Sequence, residues 1–190
     1  RKRWLRDHEI ATVWNLLSEE HPDARDLLRL QLLTAKRFSE LAKMKWVDID
    51  NDGVWCSDDN KSSDEHLVPL SAEALAILGD RDRDDALVFP RRGSKIESKI
   101  RAAIEHVNAK MGYTRKDGTF WSSHDLRRSA STLLSKLGIP SEVRESVLDH
   151  AKSGMDSIYD QWEYLPQRKD ALQKLGKEIS RITKQEETTA

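Results

Sequence analysis

The chain has 190 residues, 37% hydrophobic and 34% charged, with a formal net charge of −1 and a single cysteine. That length supports one domain with a proper core, or at most two small ones. The lone Cys56 excludes an internal disulfide framework and fits a reducing compartment, and no structural-zinc spacing is present. No apolar run approaches membrane-spanning length, and the opening RKRWLRDHEI lacks the apolar centre of a signal peptide. The near-zero charge does not announce a polyanionic partner. The charges are unevenly placed, however: acids gather over 80–85 and at Glu186 and Glu187, while Arg91, Arg92, Lys95, Lys99 and Arg101 form a basic run. A chain neutral overall can still present a basic cleft.

In chain order, Asp7 is a candidate N-cap for a first helix in which Ile10, Val13, Trp14 and Leu17 recur at helical spacing. Pro22 opens a second helix with Leu27, Leu28, Leu30 and Leu33 on its apolar face, ending near Thr34, and a third is expected over 38–43. Short strands at 54–56 and 67–68 flank the polar stretch 57–65, which reads as a hairpin tip. Ser71 caps a helix to Leu78, 86–90 is a short extended piece, and Ser94 with Glu97 forms a capping box for a helix reaching toward Met111. Beyond the polar loop 112–119, Ser123 caps a helix to Leu137, with Gly138 at the C′ position and Pro140 after it. Ser141 caps another to about Leu148. Pro166 starts a last helix whose stripe is Leu172, Leu175, Ile179 and Ile182, and 184–190 is a polar tail. The stripe has two open destinations, a neighbouring protomer or the chain's own core. There are no internal repeats and no glycine-rich phosphate loop, so the expected fold is mainly α with a small antiparallel β-sheet.

The chemistry concentrates between Ser122 and Tyr164. His124 and Arg127, three apart, sit on one helix face and can reach one ligand together. His150 follows in LDH and Tyr159 in SIYD. Taken singly, each has an ordinary explanation: a solvated helix face with an Asp125 pair, a helix-end histidine, a buried aromatic. Together, a guanidinium, two imidazoles and a phenol suit an enzyme that attacks phosphate through tyrosine. Asp149 and Asp156 read as solvated helix-end residues, and no carboxylate cluster of the kind that holds Mg²⁺ converges there.

In order and spacing, HDLRR and LDHAKSGMDSIYD resemble the H-x-x-R box and the histidine-to-tyrosine segment of the tyrosine recombinases, the phage-integrase family. AKRFSELAKMKWVDID is similar to that family's first arginine box, and NKSSDEHLVPLS to its β-hairpin element. The resemblance implies the integrase catalytic-domain fold over 1–183 and an N-terminal core-binding domain that is not in this stretch. It makes Arg37, Lys61, His124, Arg127, His150 and the nucleophile Tyr159 the catalytic set, with Glu40 a buried brace. Two positions depart from the pattern, since Ala35 and Asp149 stand where glycines are common.

The implied chemistry is metal-free and cofactor-free DNA cleavage. Arg37 and Arg127 would stabilise the non-bridging phosphate oxygens, Tyr159 would form a 3′-phosphotyrosyl link, His124 would serve as base and Lys61 as general acid, and His150 would hold a phosphate oxygen. The implied partners are a double-stranded DNA attachment site, a homo-oligomer forming a tetrameric synapse, and accessory DNA-bending proteins, in the cytoplasm and nucleoid of a bacterial host. Lys95, Lys99 and Arg101 are the candidate contacts to the DNA backbone. A type IB topoisomerase and a DNA-binding protein that has lost catalysis are the alternatives.

Overall fold

The computed structural model describes residues 3–57, 66–79, 81, 83, 85–90, 95–149 and 164–187. Lys61, His150 and Tyr159 therefore lie outside the described residues, as do Arg91, Arg92, Ser94 and Asp156.

The architecture is organised around α2 (Pro22–Thr34), which packs against α4 (Ala72–Gly79), α5 (Ile96–Lys110), α6 (Ser123–Lys136) and α8 (Leu165–Glu187). Leu27, Leu28, Leu30, Leu32 and Leu33 of α2 are all buried, as befits a helix apolar around most of its circumference. Pro22 starts it where no backbone N–H is needed. The remaining helices are α1 (Asp7–Leu16), α3 (Phe38–Leu41) and α7 (Ser141–Leu148). The sheet has two antiparallel strands, β1 (Val54–Ser57) and β2 (His66–Pro69), with Val54 opposite Pro69 and Ser57 opposite His66. The extended piece near Leu87 makes only a bridge to Lys45, closed by the Val88 N–H donating to the Met44 carbonyl at 2.9 Å.

Several helix starts differ from expectation by a residue or two. Asp7 is the first residue of α1, and the Arg6 N–H is taken by Glu9 Oε2 at 2.8 Å. For α6 the N-cap is Ser122 rather than Ser123, and Asp125 Oδ2 accepts from both its N–H (2.9 Å) and its hydroxyl (2.8 Å). Pro140, not Ser141, is the N-cap of α7, and α5 begins at Ile96 after Lys95. Ser71 behaves as predicted, its Oγ accepting from the Ala74 N–H at 3.2 Å. Gly138, at φ 74°, ends α6 in the left-handed conformation that its C′ position requires.

The last helix runs through Glu187, into the segment read as a polar tail. Its stripe, Leu172, Leu175, Ile179 and Ile182, is buried, and α8 packs on α1, α4, α7 and β2 of the same chain. The fold-back alternative is therefore the one observed. Gly176 permits this close approach, because a Cβ there would stand 2.6 Å from Ser71 Oγ and collide with the Glu73 carboxylate. None of the described helices is long and apolar enough to cross a membrane.

Candidate active site

The site is assembled where α2 stops. Ala35 takes the left-handed conformation (φ 55°, ψ 17°), sending Lys36 inward and leaving Arg37 at the N-cap of α3. The Lys36 side chain is 0% exposed and that of Arg37 is 44% exposed. One turn later Glu40 lies buried between them. Its Oε1 accepts from Arg37 Nη1 at 3.0 Å, and its Oε2 lies 2.8 Å from Lys36 Nζ. Arg127, from α6, brings Nη1 to 3.9 Å of the same Oε1. Three cations from two distant stretches of chain thus surround one carboxylate.

Arg127 is buried, and its Nη2 donates to the Leu148 carbonyl at the end of α7. Its buried Nη1 has no hydrogen-bond acceptor among the described residues. Burial, and then Arg37, push the Arg127 guanidinium down from its ordinary range, while Glu40 opposes the shift. Burial likewise pushes the Lys36 ammonium down, and the Glu40 and Asp149 carboxylates resist it.

Asp149 was expected to be a solvated helix-end residue, and it is not. As the C-cap of α7 it adopts φ 52°, ψ 46°, with Oδ1 3.2 Å from His66 Nδ1 on β2 and Oδ2 4.0 Å from Lys36 Nζ. The hydrogen bond from His66 holds its carboxyl well below the usual carboxylate range, aided by Lys36 and Arg37. Burial pushes the His66 imidazole down, against the pull of Asp149. Ala35 and Asp149 are the non-glycine residues with positive φ among the described residues. They are also the two positions where glycine was expected, so the turns keep a glycine-like shape with residues for which it costs about 1–2 kcal/mol each.

His124 stands exposed in the first turn of α6. That turn is anchored to α2 by Ser123 Oγ donating to Gln31 Oε1 at 2.8 Å. The chain entering it is fixed by Asn108, whose side-chain amide accepts from the Trp121 N–H (2.9 Å) and donates to the Trp121 carbonyl (3.0 Å). Partial burial, then Arg128 and Arg127, push the His124 imidazole down. These effects favour the neutral imidazole, the form able to accept a proton.

Of the predicted site residues, Arg37, Glu40 and Arg127 meet directly, and His124 lies within the electrostatic reach of both arginines. Lys36, His66 and Asp149 complete the cluster and were not expected there. Lys95, at the N-cap of α5, and Arg101 on that helix are exposed. Lys99 requires a correction: its side chain is 9% exposed and its Nζ is bound to Asp23 Oδ2 at 2.8 Å, which removes it from any DNA-facing surface.

The described residues thus form a mainly helical domain with a two-stranded antiparallel sheet and two arginines held on one carboxylate, the arrangement expected of an integrase-type catalytic domain. Residues 3–164 match the Phage integrase family, and the chain belongs to that family. It is similar to the prophage integrase IntA of Escherichia coli, with 35% identity over 160 residues, covering 78% of this chain and 37% of the relative. The chain spans less than half the length of the curated relatives it matches. Among solved structures, the integrase from mycobacterium phage Brujita superposes with a TM-score of 0.67 at 19% identity, covering 91% of this chain and 61% of that one. A lambda integrase tetramer bound to a Holliday junction gives 0.63 at 17%, covering 80% and 48%. These likenesses establish the fold.

Proposed function

We propose that this chain carries the catalytic machinery of a site-specific DNA recombinase, of the kind that phages and mobile elements use for integration. One observation carries the reading: Arg37 and Arg127, from separate parts of the sequence, converge on the buried carboxylate of Glu40. Permanently charged, forked donors held in place beforehand are what a five-coordinate phosphorus needs at its non-bridging oxygens. Arg37 is partly exposed toward an incoming backbone, and the buried Arg127 Nη1 keeps donor capacity in reserve.

In this scheme the Tyr159 oxygen forms a bond to phosphorus as the bond to the 5′-oxygen breaks. The phenol, with a pKa near ~10, passes its proton to the neutral His124, and the leaving 5′-oxygen takes one from Lys61. His150 holds a phosphate oxygen. The roles of Lys61, His150 and Tyr159 rest on their places in the family motifs. Attack by another strand's 5′-hydroxyl reverses the step and releases the tyrosine, so rejoining needs no ATP. Double-stranded DNA is the partner. By analogy with the lambda tetramer, the working form is a tetramer on DNA, assisted by DNA-bending proteins, in the bacterial cytoplasm at the nucleoid.

The test is covalent trapping in EDTA on DNA nicked near the scissile position so that religation fails, with wild type run beside Tyr159→Phe. A DNA-linked band that disappears in the variant is the expected result. A band that survives in Tyr159→Phe, or no band on DNA that the wild type binds, overturns the proposal.

A further inference from the structure

We infer that Lys36 and Asp149 are a matched pair of positioning residues that set the charge and hold the geometry of the Arg37–Arg127 site, an inference that rests on the recombinase reading above. The contacts form a line of alternating charge, with Lys36 and Glu40 wholly buried at its centre. Arg37 and Arg127 face Glu40 Oε1 at 3.0 and 3.9 Å, Glu40 Oε2 faces Lys36 at 2.8 Å, Lys36 faces Asp149 at 4.0 Å, and Asp149 accepts from His66 at 3.2 Å. A wholly buried ammonium is tolerated only against compensating carboxylate. Glu40 is already engaged by Arg37, so Asp149 supplies the second anion.

Geometry gives the pair its function. Asp149 directly follows Leu148, whose carbonyl receives the Arg127 guanidinium. Anchoring Asp149 to Lys36 on one side and to His66 of β2 on the other fixes that carbonyl, and through it the guanidinium. Arg168 of α8 secures the same strand by donating to the Leu67 carbonyl at 2.7 Å. The charges balance as a unit. With His66 neutral, Lys36, Arg37 and Arg127 exceed Glu40 and Asp149 by one positive charge. Loss of Lys36 cancels that excess where a phosphate must be received, loss of Asp149 doubles it, and loss of both restores it.

The experiment compares wild type, Lys36→Met, Asp149→Asn and the double variant. Met keeps the bulk of lysine without its charge. Asn tolerates the left-handed backbone and still accepts from His66, but it leaves the buried Lys36 ammonium short of one carboxylate and loosens the anchor beside the Leu148 carbonyl. The rate of covalent trapping and the DNA affinity are measured separately. Lys36→Met is expected to slow trapping by about tenfold with affinity held within about twofold, Asp149→Asn by about threefold, and the double variant to return to within about threefold of wild type. A double variant as slow as the two single effects multiplied, or single variants that trap at the wild-type rate, overturns the inference. If Lys36→Met alone fails to fold, a folded and active double variant upholds the pairing and an unfolded one overturns it. If wild type traps no DNA that it binds, the recombinase reading fails instead. The pair is then judged on thermal melts of the four proteins, where non-additive shifts support it and additive shifts overturn it.

Discussion

Two clusters of buried charge lie at opposite ends of α2, and they are built differently. At the N-terminal end, Asp23 accepts from Arg81 at 2.5 Å and from Lys99 at 2.8 Å, while Asp26 accepts from Arg81 and from Arg25, each at 2.7 Å. Arg81 Nε donates to the Val88 carbonyl at 3.0 Å, and its guanidinium stacks over Phe89. The acids also complement the positive end of the helix dipole. At the C-terminal end, the Glu40 cluster holds contacts of 3.9 and 4.0 Å, and Lys36 Nζ, Glu40 Oε2 and Arg127 Nη1 lack an aligned hydrogen bond. Both clusters concentrate charge in the interior. Only the second holds buried side-chain nitrogens, Lys36 Nζ and Arg127 Nη1, with no hydrogen-bond acceptor among the described residues, and under the proposed function that contrast separates an anion site from a structural clamp.

The largest test of this contrast is Arg127→Ala. Removal of one preorganised donor is expected to slow covalent trapping by about 10²–10³-fold, with DNA affinity changed far less. Equal losses in rate and in binding would make Arg127 a general DNA contact. In the other cluster, Arg81→Met is expected to lower folding stability by roughly 3 kcal/mol, since it leaves two acids without their shared partner. Chemical denaturation measures that loss, and trapping per folded molecule is expected to stay at the wild-type level.

The smallest effect separates the clusters by pH. Burial holds the His66 pKa below its ordinary value, so below about 6.5 the unfolded chain takes up the proton more readily, and stability falls as pH drops. Asp23 is lowered despite a burial that would raise it, because Lys99 and Arg81 outweigh that burial, and its contribution persists until pH falls below about 3.9. Melting temperatures between about pH 5 and 7 are therefore expected to slope in wild type and to slope less in His66→Gln, where the lowered His124 still contributes. An unchanged slope would remove His66 from the account.

Much of the fold was legible because its signals are local. Pro22, Ser71, Gly138 and the leucines of α2 act through their own turns. Arg37, Glu40, His124 and Arg127 were legible because each belongs to a short spaced motif. Lys36 was not, since its burial depends on Asp149 and on the left-handed turn at Ala35, and nothing adjacent distinguishes it from a surface lysine. Lys99 was misread for the same reason in reverse. Within α5 it belongs to a basic run, and only the approach of Asp23 from α2 turns it inward. Asp149 concealed its role behind its position at a helix end, where acids are commonly solvated.

The packing of α1 on α8 joins the first described helix to the last. The Leu5 N–H donating to Ser129 Oγ at 2.7 Å draws the chain before α1 onto α6 as well. Closing so long a loop is entropically unfavourable until nearly every intervening contact exists. The folding route expected from this topology condenses α2, α5 and α6 first and seats α8 last, so the β2 wall that α8 supports, and with it the His66 anchor of the arginine cluster, is expected to be completed at the end.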